Sequence, residues 1–233
     1  MNVLITGNSS GLGLGLTKQL LARDAIVWGM SRRGCPLQDE GLRDRKHDLA
    51  NLTTLPEALE RLLSDCLRLD LVILNAGILG RIQPISETHM AELEHLMRIN
   101  VWANKVILDW LIERQLPATQ IVAISSGAGH NLSYGWGGYA LSKSLLNDLI
   151  ALYAHEMSDS HLTALAPGLV DTGMQDYLCE HVDTEEYPSV QKLVNARGSE
   201  AMPDPDQAAT RILDLMEKLN KGPSGQFTDL RNV

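Results

Sequence analysis

Phenylalanine occurs once in this chain of 233 residues, and tyrosine and tryptophan add only nine more aromatics. The core must therefore be built from Leu, Ile, Val and Ala, the side chains that fill helix-covered parallel sheets. Cysteine is almost as scarce. Cys35, Cys66 and Cys179 are odd in number and far apart, which leaves no disulfide framework or metal-ligand spacing and fits a reducing cytoplasm. Basic residues are in deficit: 20 Lys and Arg against 29 Asp and Glu give a net charge of −9. Without a basic stripe to neutralise phosphates, neither nucleic acid nor an anionic membrane is expected as a partner. No apolar run approaches membrane-spanning length. The opening Met1-Asn-Val-Leu-Ile-Thr6 has no basic region and only a short apolar run, so no signal peptide is expected. The seven histidines are scattered, and no metal site is expected.

What is present is an alternation of short apolar runs with longer amphipathic ones. Val3-Leu4-Ile5, residues 25–30, Leu71-Val-Ile-Leu74, Ile121-Val-Ala-Ile124 and residues 162–165 read as strands, with a further strand before Asp48. Residues 11–23, 53–65, 87–115, 139–157 and 206–219 read as helices. Strands alternating with helices predict a doubly wound parallel sheet between helix layers, a three-layer α/β domain. With no repeat or linker, the chain is expected to form one domain. Residues 171–205 read as irregular and acidic, and a loop that long in a compact domain is usually a lid or a binding segment.

The first strand runs into Thr6-Gly-Asn-Ser-Ser-Gly-Leu-Gly13 and then a helix. Glycines permit close approach of a ligand, and a helix N-terminus offers free N–H groups and a positive dipole end to a pyrophosphate. The spacing is Gly-x-x-x-Gly-x-Gly, and Gly15 is read as a helix-packing residue. Later comes Tyr139-Ala-Leu-Ser-Lys143, with Ser126 thirteen residues before the tyrosine. Tyrosine and lysine four apart share a helix face. A phenol with an ordinary pKa of ~10 is a poor acid–base group at neutral pH, and a neighbouring ammonium stabilises its anion. A nearby serine hydroxyl can hold a carbonyl. These parts move a proton to or from an oxygen whose carbon exchanges hydride.

The glycine turn, Asn75-Ala-Gly77, Ser126, Tyr139, Lys143 and Pro167-Gly168 together closely resemble the classical short-chain dehydrogenases/reductases, in that family's order and spacing, from residue 3 to about 174. The resemblance implies a seven-stranded Rossmann-type sheet, a nicotinamide cofactor and Ser126, Tyr139 and Lys143 as the catalytic group. It adds Asn100, whose family counterpart holds a water that relays protons to the lysine. It assigns the cofactor to Gly7, Asn8, Ser9, Ser10, Gly11, Leu12 and Gly13, to Asp48 and Leu49 at the adenine, to Asn75, Ala76 and Gly77, to Tyr139 and Lys143, the lysine holding the nicotinamide ribose hydroxyls, and to Pro167, Gly168, Val170 and Thr172 beside the nicotinamide. The cofactor half then spans about 1–120, the catalytic and substrate half about 121–233, with a lid at about 171–205.

At the end of the second strand, Trp28-Gly-Met-Ser-Arg-Arg33 offers no carboxylate for a ribose 2′-hydroxyl. Ser31 stands where the family's NAD-type members carry Asp, and Arg32 suits a 2′-phosphate, so NADP(H) is expected over NAD(H). The reading is NADPH-dependent reduction of a ketone or aldehyde. Its alternatives are an NAD(H)-dependent alcohol or sugar dehydrogenase and a non-catalytic NADPH sensor, although sensors usually lose the tyrosine or the lysine. The pocket is expected to draw on residues 126–139, 78–84 and the segment after Thr172, with Tyr134, Trp136 and Tyr177 making it apolar and aromatic. Six carboxylates without a Lys or Arg between Asp171 and Glu186 are expected to repel anionic substrates. Family analogy gives a homodimer or homotetramer. The chain ends within eight residues of Gly225, where many relatives continue into a tail used in subunit contacts.

Overall fold

The computed structural model describes residues 1–232. Seven strands form one parallel sheet in the order β3-β2-β1-β4-β5-β6-β7. They are β1 (Asn2–Thr6), β2 (Ile26–Ser31), β3 (Leu42–Lys46), β4 (Leu69–Leu74), β5 (Ala118–Ile124), β6 (His161–Ala166) and β7 (Gln226–Asp229). Chain order reverses between β1 and β4, so the crevice of an open α/β sheet falls at their carboxyl ends.

Side chains along each strand alternate between two apolar layers, as the two-residue period requires. Val3, Ile5, Leu71, Ile73, Val122 and Ile124 face one layer, covered by α1 (Gly11–Leu21) and α9 (Pro205–Leu219). Leu4, Val72, Leu74, Ile121 and Ala123 face the other, covered by α2 (Leu55–Leu62), α4 (Ala103–Glu113) and α6 (Gly137–Glu156). A Cβ on Gly15 of α1 would lie 2.4 Å from the Pro205 carbonyl oxygen, so this glycine lets the start of α9 approach.

Two expectations change. The helix anticipated over 87–115 is α3 (Met90–Met97), a π-helical turn over Arg98–Trp102 that contains Asn100, and α4. Period counting cannot register the extra residue of a π-turn, because the apolar stripe continues through it. The segment 171–205, read as irregular, holds α7 (Gly173–His181) and α8 (Pro188–Ala196). Its acidic residues lie outside an apolar underside in which Leu178, Tyr187 and Val190 pack with Leu79, Ile82, Trp136 and Ala140. Arg197 reaches back to Asp171 and to Asp176, so part of that acidity is neutralised within the segment. A short helix, α5 (Ala128–Asn131), follows β5. Residues 226–232 complete the sheet with β7 and a final 3₁₀ turn, Leu230–Asn232. No helix among the described residues is long and apolar enough to cross a membrane.

Candidate active site

A cleft of about 1000 Å³ opens along the carboxyl ends of the strands. At one end is the turn after β1. Gly7 has φ +75°. A Cβ on Gly13 would meet the Gly7 carbonyl oxygen at 2.2 Å, so only glycine lets α1 start this close to the turn. No side chain caps the first turn of α1, which leaves its amide donors facing the cleft. Ser9, Ser10, Gly11 and Leu12 also line it. Asn8 does not. Its buried Nδ2 donates to Asp44 Oδ1 at 2.8 Å, toward β2 and β3, so its side chain supports the turn from behind.

Ser31, Arg32, Arg33, Asp48 and Leu49 continue the wall. Arg33, which the sequence reading left without a role, donates from Nη2 to Ser10 Oγ at 2.7 Å. Asp44, on β3, accepts from Asn8 and from the Cys35 amide and does not line the cleft. Across the sheet, the Asn75 and Ala76 amides donate to Thr6 Oγ1 at 3.0 and 3.1 Å, and Asn75 Nδ2 donates to the Thr6 carbonyl at 2.9 Å. These bonds tie the ends of β1 and β4 and set Asn75, Ala76 and Gly77 along the cleft floor. Pro167, Gly168, Val170 and Thr172 line its far wall, and Thr172 Cγ2 would stand 3.3 Å from a Cβ on Gly11.

Ser126, Tyr139 and Lys143 meet between these walls. Ser126 lies beside the Tyr139 phenol, and its Oγ accepts from the Ala128 amide at 3.1 Å. Ser125, its neighbour, instead donates to Asn147 Oδ1 at 2.5 Å. Lys143 is buried, 4% exposed; its Nζ donates to the Ile124 carbonyl at 2.7 Å and lies 5.7 Å from the centre of the Tyr139 ring. Burial pushes the Lys143 ammonium down to about 8. Burial also pushes the Tyr139 phenol above its ordinary value, with the Ser126 hydroxyl opposing it. The sequence reading anticipated a phenol lowered by the lysine. In this structure desolvation dominates, and a phenol so held stays protonated at neutral pH.

Asn100 sits behind this group, fully buried and off the cleft. Its Oδ1 accepts from the Ile78 amide, and its Nδ2 donates to the Ile78 carbonyl and to Ser142 Oγ, each at 2.9 Å. It therefore fixes the backbone after Gly77 to the helix that carries Tyr139 and Lys143.

Of the anticipated aromatics, Trp136 lines the cleft, with Nε1 donating to Ser189 Oγ at 2.8 Å. Tyr134 and Tyr177 do not line it; Tyr134 is 62% exposed and stacks on Tyr187. Of residues 78–84, Ile78 alone contributes. Met174, Leu178 and Leu193 add apolar surface from the helical segment after Thr172. Gln175 and Lys192 come from that same anticipated segment; the sequence reading missed Arg231, which no local motif marks, because the tertiary fold brings the end of β7 to the cleft. Among the described residues, no three His, Cys, Asp or Glu side chains converge to hold a metal ion.

The model of the short chain dehydrogenase family matches residues 1–183. A benzil reductase ((S)-benzoin forming) of Bacillus cereus is 27% identical, with 92% of this chain and 93% of that protein covered. An uncharacterized oxidoreductase of Schizosaccharomyces pombe is 33% identical over 180 residues, 74% of this chain and 72% of the other. The crystal structure of a short chain dehydrogenase family protein from Francisella tularensis superposes with a TM-score of 0.82 at 20% identity, covering 98% and 96% of the two chains.

Proposed function

The chain belongs to the short-chain dehydrogenase family, oxidoreductases that act on a carbonyl or alcohol with NAD(P), and we propose that it is an NADPH-dependent reductase of apolar, aryl-bearing ketones. The observation that carries the reading is the Tyr139 phenol, beside Ser126 and the buried Lys143 ammonium, at the carboxyl end of β5 and in the same cleft as the glycine turn. A dinucleotide fits that cleft: the uncapped first turn of α1 suits its pyrophosphate, and Gly7 and Gly13 leave the room a Cβ would fill. Arg32 and Arg33 suit a 2′-phosphate, and residues 31–33 at the end of β2 include no carboxylate to hold a 2′-hydroxyl.

The bound cofactor supplies the hydride. Ser126 donates to the substrate carbonyl oxygen and holds it within reach of the phenol. Tyr139 gives that oxygen a proton; its raised pKa keeps the proton available at neutral pH. Lys143 places a positive charge behind the phenol, which offsets the phenolate left after transfer. Asn100 positions Gly77, Ile78 and α6 rather than touching substrate. Trp136, Met174, Leu178 and Leu193 exclude water from the reacting carbon and give aryl groups apolar surface. The Bacillus relative named for reducing benzil to (S)-benzoin supports an aryl ketone. We further propose a homodimer through α6 and α4 with the π-helical turn before it, where Trp102, Leu141 and Leu152 are exposed.

The test is initial-rate reduction of a panel of aryl and alkyl ketones with NADPH and with NADH. Turnover of aryl ketones with a preference for NADPH is expected. Turnover with NADH preferred would reject the cofactor assignment, and a folded protein that binds NADPH yet reduces nothing would reject the enzyme reading in favour of a sensor.

A further inference from the structure

The cleft is cationic in a chain whose net charge is −9. Among the described residues, Asp48, just beyond β3, is the one carboxylate lining it, whereas Arg32, Arg33, Lys143, Lys192 and Arg231 all do. None of the carboxylates of residues 171–186, anticipated to repel anionic substrates, lines the cleft. Arg231 is the cation whose setting is most specific. It follows β7, and Asp229 holds it side-on: Nε donates to Oδ1 at 2.9 Å and Nη2 to Oδ2 at 2.5 Å. Asp229 is only 11% exposed, so the guanidinium is anchored from beneath while its own side chain stays 59% exposed. The Nη2 atom lies 3.4 Å from the position of a Cβ on Gly127, and the Arg231 Cγ lies 3.6 Å from that of a Cβ on Gly168. Both are ordinary van der Waals distances, so the Arg231 side chain packs along the backbone at the ends of β5 and β6. Gly127 directly follows Ser126, and Gly168 directly follows Pro167.

We infer that Arg231 is a specificity-determining residue, oriented by Asp229 to receive a carboxylate next to the reacting carbonyl, so that the preferred substrates are 2-oxo acids with an apolar or aryl tail. The carboxylate would accept from the guanidinium donors that Asp229 leaves free, Lys192 would add attraction from α8, and the tail would lie along Trp136, Leu178 and Leu193. The oxo group takes up a hydride and a proton and becomes a 2-hydroxy acid, while the dinucleotide is oxidised.

This inference rests on the ketone reduction proposed above. The test compares phenylglyoxylate with its methyl ester, both with NADPH, in the parent protein and in Arg231→Gln and Arg231→Lys. The parent is expected to favour the acid. Arg231→Gln should lower the acid-to-ester ratio of kcat/KM about ten- to a hundredfold, the usual effect of losing a charge-assisted bond, and Arg231→Lys should restore part of it. Added salt should raise KM for the acid more than for the ester. Should Arg231→Gln fail to fold, Arg231→Lys and the salt series decide. Reduction of both compounds with a ratio that neither substitution nor salt moves overturns the inference and leaves the reductase reading standing; reduction of neither by folded protein overturns both.

Discussion

The Lys143 ammonium lies 5.7 Å from the centre of the Tyr139 ring, yet its one protein partner is the Ile124 carbonyl, with no carboxylate beside it. A buried cation without a counter-ion is costly, and its downward shift to about 8 records that cost. Such a residue burdens the fold, which suggests that it is kept for what it does beside the phenol.

Replacing Lys143 by Met should therefore stabilise the cofactor-free protein. Its folded pKa is about 8 against 10.5 unperturbed. The penalty is in full force below the folded value and fades as pH rises from about 8 to 10.5, where the unfolded chain also loses the proton. The variant should exceed the parent by about 3 kcal/mol at pH 7, less about 1 kcal/mol for the lost bond to Ile124, and the gap should close near pH 10.5. Urea denaturation across that range measures it. A parent more stable than the variant at pH 7 would contradict the buried-cation account.

Tyr139→Phe removes only the hydroxyl, so melting temperature and NADPH affinity should hold. Turnover should fall by about 10² to 10⁴, the usual worth of a positioned acid. Steady-state kinetics beside a binding titration separate the two effects, and undiminished turnover would remove Tyr139 from the role of acid.

Arg32→Ala and Arg33→Ala should each weaken NADPH more than NADH, by about ten- to a hundredfold for a lost charge-assisted pair. Arg33→Ala should also disturb the glycine turn, because Arg33 is bonded to Ser10 there. A modest loss of NADH affinity is expected for Arg33→Ala alone. Calorimetric titration of both cofactors provides the readout, and equal losses for both would refute recognition of a 2′-phosphate.

Gly135→Ala should loosen the wall built by α8. Gly135 has φ +85°, and a Cβ there would come within 2.4 Å of the Tyr187 ring. Strain and displacement together should cost about 1–3 kcal/mol. Thermal unfolding should reveal the loss, and proteolysis within 183–197 should quicken. A variant as stable as the parent would mean that Tyr187 moves aside freely.

Six of the seven strands, most helices and the line of cleft residues were legible because most follow a local rule: short apolar runs for the strands, glycine spacing for the turn after β1, the one-turn offset for Tyr139 and Lys143; β7 was not located. What was illegible depended on distance in the chain. Asn8 sits within the glycine motif, yet its side chain turns to Asp44, a partner set by strand order. Arg231 reaches the cleft only because β7 pairs with β6. The helices of residues 171–205 were masked by surface carboxylates, whose apolar partners Leu79, Ile82 and Trp136 lie far upstream. The direction of the Tyr139 shift was misread because sequence displays the neighbouring charge and conceals the burial.

The position of Trp136 has an optical consequence. Its indole lies on the cleft wall, bonded to Ser189 and 6.1 Å from the centre of the Tyr139 ring. Of the other three tryptophans, Trp28 and Trp110 are locked in the core beneath the sheet, and Trp102 lies on the outer surface. Ligand entry thus changes the surroundings of one emitter and leaves three as an internal standard. The intrinsic fluorescence of the unlabelled protein becomes a gauge of occupancy, and Trp136→Phe identifies which part of the signal comes from the cleft.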